Sequence, residues 1–222
     1  MTNKDKQVKS KKRVADHGEV FTSKREVNAM LDLVKQETER IDSRFLEPAC
    51  GTGNFLVEVL RRKLIIVEQR YKKSQLEYER YAVLAISSIY GIDILEDNVV
   101  ECRNRLFDIF EEKYSAFYKT NCKEECRISI KYILKRNILR GDALTLKTVG
   151  NTEEPIVFSE WALVKGSMIK RRDFTLSNLL KAESSKVQGG LFDDFYETDP
   201  AFLPKPIKDY PLTHFLKLAD HA

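Results

Sequence analysis

Long apolar stretches are missing from this sequence of 222 residues, and no run approaches the roughly 18 apolar residues that a transmembrane helix needs. A secretory signal is not evident, because the first 13 residues are rich in charge and no apolar stretch follows them. A large charge excess is missing too: 38 lysines and arginines stand against 34 aspartates and glutamates, a formal net charge of +4. The composition is that of an ordinary globular protein, which we expect in the cytoplasm and not in a membrane.

Cysteine and histidine are scarce, which disfavours a disulfide-stapled fold and a metal centre. The cysteines are Cys50, Cys102, Cys122 and Cys126, and the histidines are His17, His214 and His221. Cys122 and Cys126 have a C-x3-C spacing, but a structural zinc site needs four ligands and the histidines are distant in sequence. We therefore expect free thiols in a reducing compartment and no bound metal.

Apolar periodicity predicts alternating helices and strands. Residues 25–40 carry apolar side chains at helical spacing, the positions after Phe55 predict a second helix, and residues 97–119 predict a third. The segments expected to be extended or strand-like are 41–46, 89–94, 128–134, 136–139 and 156–158. This alternation is typical of an α/β fold with a mostly parallel sheet.

The two ends of the chain differ in composition from the middle. Residues 1–16 predict a basic flexible arm that could also contact phosphates, and residues 17–175 form the expected α/β domain. Residues 176–222 hold four of the six prolines and predict an extended tail. Residues 189–222 include Leu191, Phe192, Phe195, Tyr196, Phe202, Tyr210 and Phe215. Such residues must be buried, either on this domain or on a partner chain, and we hypothesise that they dock a partner.

A glycine-rich turn follows the first expected strand. Glu47-Pro48 leads into Gly51-Thr52-Gly53, and an amphipathic helix comes next. Glycines allow close backbone approach, and the new helix offers free N–H groups to an anionic part of a ligand. The turn is neither G-x-G-x-x-G nor a P-loop, which disfavours a pyrophosphate cofactor.

Acidic residues follow three successive expected strands: Glu47, Asp93 and Asp142. Asp93 could accept hydrogen bonds from ribose hydroxyls, as acidic residues do in dinucleotide-binding folds. We expect Asp97 to cap the helix that follows, which would leave Asp93 free for a ligand. Three carboxylates at one sheet edge repel one another, and a ligand rich in hydroxyl and amine donors would explain them.

These motifs resemble those of N6-adenine DNA methyltransferases of restriction–modification systems. Residues 47–55, EPACGTGNF, are similar to the family's S-adenosylmethionine motif, Asp/Glu-Pro-x-Cys-Gly-Ser/Thr-Gly-x-Phe. Residues 17–22, HGEVFT, resemble its N-terminal motif, although Ser23 replaces the usual proline. Residues 91–94 and 141–144 resemble the second and third cofactor motifs, so that the resemblance covers about residues 15–160.

The resemblance implies a Rossmann-like methyltransferase sheet with helices on both faces, S-adenosylmethionine as cofactor, and DNA as partner. Glu47 and Thr22 would hold the methionine end, Asp93 the ribose and Asp142 the adenine amine, with Phe55 and Ile94 in apolar contact. The full set of implied cofactor residues is Phe21, Thr22, Glu47, Pro48, Ala49, Cys50, Gly51, Gly53, Asn54, Phe55, Asp93, Ile94, Asp142 and Ala143.

The family's catalytic tetrapeptide, Asp/Asn/Ser-Pro-Pro-Tyr/Phe, is missing, because this sequence contains no Pro-Pro. Its aromatic ring would stack on the flipped adenine. Ser159 and Trp161 in Ser159-Glu160-Trp161 are the weak candidates at the corresponding distance after Asp142. A basic cluster follows, made of Lys165, Lys170, Arg171 and Arg172, which could line a DNA path or form a solvated turn.

Three hypotheses follow from this combination of present and missing motifs. The chain is the cofactor-binding part of a methyltransferase whose catalytic loop and target recognition come from another chain, and this is the hypothesis we favour. It is a complete small methyltransferase with an unusual catalytic loop. Or it is a non-catalytic relic or regulatory protein that keeps the fold.

Overall fold

The structure is a computed structural model that describes residues 10–17, 19–187 and 204–221. The helices are α1 (Lys11–His17), α2 (Lys24–Leu33), α3 (Lys35–Thr38), α4 (Asn54–Tyr71), α5 (Gln75–Ser87), α6 (Glu96–Tyr118), α7 (Glu124–Asn137) and α8 (Leu176–Val187). The strands are β1 (Phe45–Glu47), β2 (Ile89–Asp93), β3 (Ile138–Asp142), β4 (Lys147–Thr148), β5 (Val157–Lys165), β6 (Met168–Thr175), β7 (Lys208–Asp209) and β8 (Thr213–His214). Short 3-10 turns cover Lys119–Asn121 and Leu218–His221.

A mixed sheet in the order β1-β2-β3-β4 organises the first part of the chain. Its first three strands are parallel, with Phe45 opposite Ile89 and Gly91 opposite Ile138, and the two-residue β4 is antiparallel to β3. The expected α/β class is therefore confirmed, with a mixed sheet in which three strands are parallel. Helices connect β1 to β2 and β2 to β3, as parallel strands require.

The two faces of this sheet are covered differently. Alternate residues of β2 point to opposite faces and show what covers each of them. Ile89 belongs to the main core, which is built largely by α4, α5, α6 and α7. Tyr90 and Ile92 belong to a smaller cluster with Ile156, Phe158 and Leu176. One face thus carries a helical layer, and the other is covered by the start of β5 and by the first turn of α8.

Residues 128–134, predicted as a strand, lie inside helix α7, and this prediction is wrong. The segment is rich in isoleucine, which favours strands, but its buried positions recur at helical spacing: Cys126, Ile130, Ile133 and Leu134 are buried, whereas Ile128 is exposed. Helical packing against α5 and α6 therefore overrides the β propensity. The strand expected at 136–139 begins at Ile138 and continues to Asp142.

Residues 156–158 do not form a further strand of the first sheet. Val157 and Phe158 are the first residues of β5, which pairs antiparallel with β6 in a separate sheet. The hairpin turn contains Gly166 with a φ of +56°, a conformation that glycine adopts readily. The short β7 and β8 both pair with β6.

Part of the predicted extended tail packs on this chain. Residues 176–187 form α8, and residues 204–221 return along β6. Phe215 is fully buried in the main core, and the Tyr210 hydroxyl donates to Asp173 at 3.0 Å. The docking hypothesis is therefore wrong for Tyr210 and Phe215, which contact their own domain. The other residues of that hypothesis, Leu191, Phe192, Phe195, Tyr196 and Phe202, lie outside the described residues.

The basic arm predicted for residues 1–16 is helical from Lys11 onward, and Arg13 of this helix, α1, contacts the rest of the chain. Its guanidinium donates to Glu19 at 2.5 Å and to Asp97 at 2.6 Å. Residues 11–16 of the predicted arm lie in helix α1, and residues 1–9 lie outside the described residues. None of the helices in the described ranges combines the length and the apolarity that crossing a bilayer requires.

Candidate functional site

A cleft of about 680 Å³ lies at the carboxyl ends of β1, β2 and β3. This is the edge at which open α/β sheets bind their ligands. Thirteen of the fourteen residues predicted to bind the cofactor line it, and they are Phe21, Thr22, Glu47, Pro48, Ala49, Cys50, Gly51, Asn54, Phe55, Asp93, Ile94, Asp142 and Ala143. The three acidic strand ends therefore share one site, as predicted.

The remaining predicted residue, Gly53, does not line the cleft but supports the turn beneath it. It begins α4 with a φ of +84°, and a Cβ atom there would lie 2.5 Å from the Cys102 sulfur. Glycine is needed because of both the backbone conformation and the close approach of α6. Gly53 therefore shapes the turn that carries Gly51, whose φ of +52° also lies in the left-handed region.

Glu47 carries an unsatisfied polar atom. Its Oε2 is buried and has no hydrogen-bond partner among the described residues. Burial, together with the nearby charge of Asp93, raises the pKa of Glu47 to about 8. A buried carboxyl of this kind is stabilised when a cationic donor comes within hydrogen-bond reach, because its ionised form then gains a partner. The cleft therefore offers an acceptor for an ammonium group at the end of β1.

Asp93 is more occupied than the sequence predicts. Its Oδ2 accepts from the Gly51 amide at 2.9 Å, and its Oδ1 accepts from the Leu95 amide at 2.8 Å. Asp97 does not cap α6, because Leu95 is the N-cap residue and Asp97 binds Arg13 instead. The prediction that Asp97 leaves Asp93 free is wrong. A carboxylate has about four acceptor sites, so Asp93 both fixes the glycine turn and keeps acceptor capacity for a ligand.

Asp142 and its neighbours form the third part of the cleft. The Asp142 Oδ1 accepts from the Leu144 amide at 2.8 Å, which fixes the turn after β3. Leu144 is 95% exposed and Ile94 is 48% exposed, although both are large apolar side chains that line the cleft. Exposed apolar side chains beside a carboxylate suit a flat heterocycle that carries an amino group.

Residues 19–22 form the outer wall of the cleft, opposite the strand ends. The Asn54 side chain donates to the Thr22 carbonyl at 3.0 Å, which ties this wall to α4. Ser23, where the resembled motif has proline, caps α2: its hydroxyl accepts from the Glu26 amide, while the Glu26 carboxylate accepts from the Ser23 amide. Proline has no N–H and no hydroxyl, so it could not form this capping box.

The sequence did not reveal several positioning residues. Arg105 on α6 donates to the Thr52 carbonyl at 2.6 Å and to the Asn54 side chain at 2.9 Å, and so holds the glycine turn from below. Asn98 donates to Glu19 at 2.7 Å and to Asp93 at 3.2 Å, which joins the outer wall to β2. Except for the contact from Asn98 to Asp93, which spans five residues, these contacts join residues that lie more than 50 positions apart, and no local spacing signals them.

The weak catalytic candidates do not reach the cleft. Ser159 and Trp161 lie within β5, where Ser159 donates to Asp173 at 2.7 Å and the Trp161 ring nitrogen donates to Asn137 at 3.0 Å. Neither residue lines the cleft. Both are buried and have structural partners.

The basic cluster also has structural partners. Arg171 is buried and donates to Asp173, while Lys170 pairs with Asp209 and Arg172 with Glu160. The hypothesis of a DNA path is therefore wrong for Arg171, whose guanidinium is not available at the surface. Lys165 lies at the exposed end of β5.

Ser159→Ala tests the structural role of this serine. We expect the free energy of unfolding to fall by about 2–3 kcal/mol, because the hydroxyl donates to Asp173 and accepts from Arg171, both charged and buried, with no change in ligand binding at the cleft. Chemical denaturation and calorimetric titration with S-adenosylmethionine measure the two quantities. A large loss of ligand affinity with an unchanged free energy of unfolding would show instead that Ser159 takes part in ligand binding.

Among the described residues, no three histidine, cysteine, aspartate or glutamate side chains are grouped so that they could hold a metal ion. The Cys122 sulfur contacts the Tyr114 carbonyl, and Cys126 is buried in α7.

Comparison with protein-family models, with curated protein sequences and with solved structures finds no match to this chain.

Proposed function

We propose that this chain is the S-adenosylmethionine-binding part of a DNA adenine-N6 methyltransferase of a restriction–modification system, acting in the cytoplasm. The observation that carries the proposal is the unpartnered, buried Glu47 oxygen in a cleft that also presents Asp93 and Asp142 at the next two strand ends. The parallel strands β1, β2 and β3, with a glycine turn after β1, support a Rossmann-like arrangement.

The chemistry of the cleft fits the three parts of the cofactor. Glu47 would accept from the methionine ammonium, Asp93 from the ribose hydroxyls and Asp142 from the adenine amino group. Ile94 and Leu144 would contact the adenine ring, and Gly51 lets the backbone approach the methionine part. The volume of about 680 Å³ lies in the range of small-molecule sites.

Bound S-adenosylmethionine would supply a methyl group already activated by the sulfonium. The residues of this chain would hold and orient that cofactor, which is how enzymes lower the entropic part of a transfer barrier. Ser159 and Trp161 would not position a flipped adenine, because both side chains are buried in β5. The catalytic loop and the target recognition therefore come from another polypeptide chain in this proposal.

The alternative is a non-catalytic relic or regulatory protein that keeps the fold. Acidic residues at all three strand ends favour a working cofactor site, because neighbouring carboxylates repel one another and destabilise the folded chain unless a ligand compensates their charge. Cofactor binding separates the proposal from a relic without a cofactor site. A regulatory protein that keeps the fold can also bind the cofactor, and a reading frame with Asn-Pro-Pro-Tyr directly downstream in the genome would separate the proposal from that possibility.

Calorimetric titration of the full chain with S-adenosylmethionine tests the proposal. We expect Glu47→Gln to weaken binding by roughly 10- to 100-fold, since a charge-assisted hydrogen bond is worth about 1.5–3 kcal/mol. Glu112→Gln, which changes an exposed carboxylate on α6, is the matched control and should bind as the wild type does. Absence of binding by the wild type would overturn the proposed function.

Proton release gives an independent readout of Glu47. Because its pKa is raised to about 8, Glu47 is protonated at pH 6.5, and an arriving ammonium favours its ionised form. Binding should therefore release close to one proton at pH 6.5, and affinity should rise up to about pH 8, where the cofactor's own α-amino group begins to lose its charge. Titrations in buffers of different ionisation enthalpy measure this release, which Glu47→Gln should abolish.

A further inference from the structure

A second cavity, of about 510 Å³, lies at the amino ends of β1 and β2. Its lining includes Arg44, which directly precedes β1, and Ser87 and Ser88, which directly precede β2. The cleft lies where the same strands end, and no residue lines both. The second cavity is therefore a separate site with its own chemistry.

Two stacked tyrosine rings line the second cavity. Tyr71 is the last residue of α4 and Tyr81 lies on α5, and their ring centroids are 3.9 Å apart with planes inclined by 5°. In the described part of the chain, Tyr71 has no ring contact other than Tyr81 and no cation over its ring. A further flat ring can extend the stack on Tyr71, and every nucleobase has a flat face that stacks on aromatic side chains.

Three arginines bring positive charge to the same cavity: Arg40, Arg44 and Arg70. Arg70 pairs with no carboxylate among the described residues. Arg44 shares the carboxylate of Glu160 with Arg172, so that two guanidinium groups face one negative charge. The side chain of Arg44 is 58% exposed, which leaves some of its five N–H donors available to a ligand.

The two carboxylates that line the cavity do not cancel this charge. Glu39 pairs with Lys35, which does not line the cavity, and Asp42 pairs with Arg40. The Arg40 guanidinium lies 3.7 Å from Asp42 and 3.6 Å from Glu37, whereas a direct charge-assisted hydrogen bond measures about 2.7–2.9 Å. Exposed ion pairs of this kind are weak, so a phosphate can replace them at Arg40.

The pairing of stacked rings with guanidinium groups selects the ligand. A purely apolar molecule would leave the arginines without partners, and inorganic phosphate would leave the tyrosine rings unused. The planar donors of arginine match a phosphate, and the tyrosine stack matches a base.

We propose that the second cavity binds a nucleotide, whose base stacks on Tyr71 and whose phosphate is held by Arg40, Arg44 and Arg70. A free mononucleotide and one unit of a single nucleic-acid strand share this chemistry, and the experiment below distinguishes them. The proposal does not rest on the proposed function, because the cavity and the cleft have no residue in common.

Trp161 provides a local readout, because it lines the second cavity and is the single tryptophan of the chain. Titration of the full chain with thymidine 5′-monophosphate should change the Trp161 fluorescence in a saturable manner. Thymidine, which lacks the phosphate, and inorganic phosphate, which lacks the base, should each bind roughly 10-fold or more weakly. Absence of a saturable change up to about 10 mM nucleotide overturns the proposal.

Arg70→Gln should weaken nucleotide binding by roughly 10-fold, because it removes an exposed guanidinium that has no carboxylate partner. Arg61→Gln, which also removes an exposed arginine from α4 but lies outside the cavity, is the matched control and should bind as the wild type does. Tyr71→Leu should weaken binding by a similar factor through the loss of stacking. Equal nucleotide affinity of Arg70→Gln and wild type overturns the proposal, even if Tyr71→Leu fails to fold.

A single-stranded oligothymidylate of about ten units separates the two sources of the ligand. Ten equivalent units alone raise the apparent affinity about tenfold over the mononucleotide. A gain of about 100-fold or more identifies a nucleic-acid strand as the ligand, because neighbouring phosphates then also contact the chain, and a smaller gain identifies a free mononucleotide. Strand binding that Arg70→Gln leaves unchanged overturns the proposal.

Discussion

Replacing Asp93 with alanine is expected to weaken S-adenosylmethionine binding by roughly 100- to 1000-fold, about 3–4 kcal/mol. The loss has two parts. The cofactor would lose the acceptor for its ribose hydroxyls, and the glycine turn would lose the carboxylate that fixes the Gly51 amide at 2.9 Å and the Leu95 amide at 2.8 Å. A ribose contact alone would cost less, because water can replace it.

A milder variant and a matched control accompany Asp93→Ala in the calorimetric titration. Asp93→Asn keeps an acceptor of the same size but loses the charge, and we expect it to lie between alanine and wild type. Asp108→Ala removes an exposed carboxylate from α6 and is the matched control, with unchanged affinity expected. Asp93→Ala should also lower the pKa of Glu47, since the Asp93 charge helps to raise it. Wild-type affinity in Asp93→Ala would contradict the cofactor assignment.

Replacing Lys63 with methionine is expected to lower the free energy of unfolding by about 3 kcal/mol at pH 8. Lys63 is fully buried on α4, and its Nζ lies within hydrogen-bond distance of the Ile41 carbonyl at 3.1 Å, of the Ser43 carbonyl and of the Ser88 hydroxyl at 2.6 Å. These groups precede β1 and β2, so Lys63 joins the beginnings of the two strands. Methionine fills similar space but leaves the buried carbonyls without a donor.

The stability difference between the wild type and Lys63→Met should change with pH in a definite direction. Burial lowers the pKa of Lys63 to about 7, so between about pH 7 and pH 10 the unfolded chain binds more protons than the folded one. Stability conferred by Lys63 therefore rises with pH in this window, and the difference from Lys63→Met should grow by up to about 1.4 kcal/mol per pH unit. Urea denaturation from pH 7.5 to 9.5 measures it, with Arg61→Met, an exposed change on the same helix, as control. A difference that stays constant with pH would contradict the assignment.

The candidate site was more predictable from the sequence than the fold around it. Glu47, Asp93 and Asp142 each follow an apolar segment, and the carboxyl ends of parallel strands meet at one edge whatever the length of the connections. The glycine turn is equally local, since its conformation is set by Gly51 and Gly53 themselves. A local pattern and one topological rule were enough to place thirteen of the fourteen predicted residues in one cleft.

The errors arose where packing between distant segments decides the structure. Residues 128–134 have strand-like composition, and only their burial against α5 and α6 makes them helical. Arg105 acts on residues more than 50 positions earlier, and no spacing in the sequence signals that contact. Asp93 was expected to be free, whereas the folded turn brings the Gly51 amide to it. Such contacts depend on the geometry of the whole domain.

The late position of Phe215 in the chain has a consequence for biosynthesis. Phe215 and Leu218 are buried in the same core as helices α4 to α7, whose residues precede them by about 80 positions or more. A nascent chain that has not yet reached residue 218 therefore leaves apolar side chains of this core, including Trp161 and Ile169, without their last neighbours. Folding of the domain is then completed only after its final segment has left the ribosome, and chaperones meet the unfinished core during that interval.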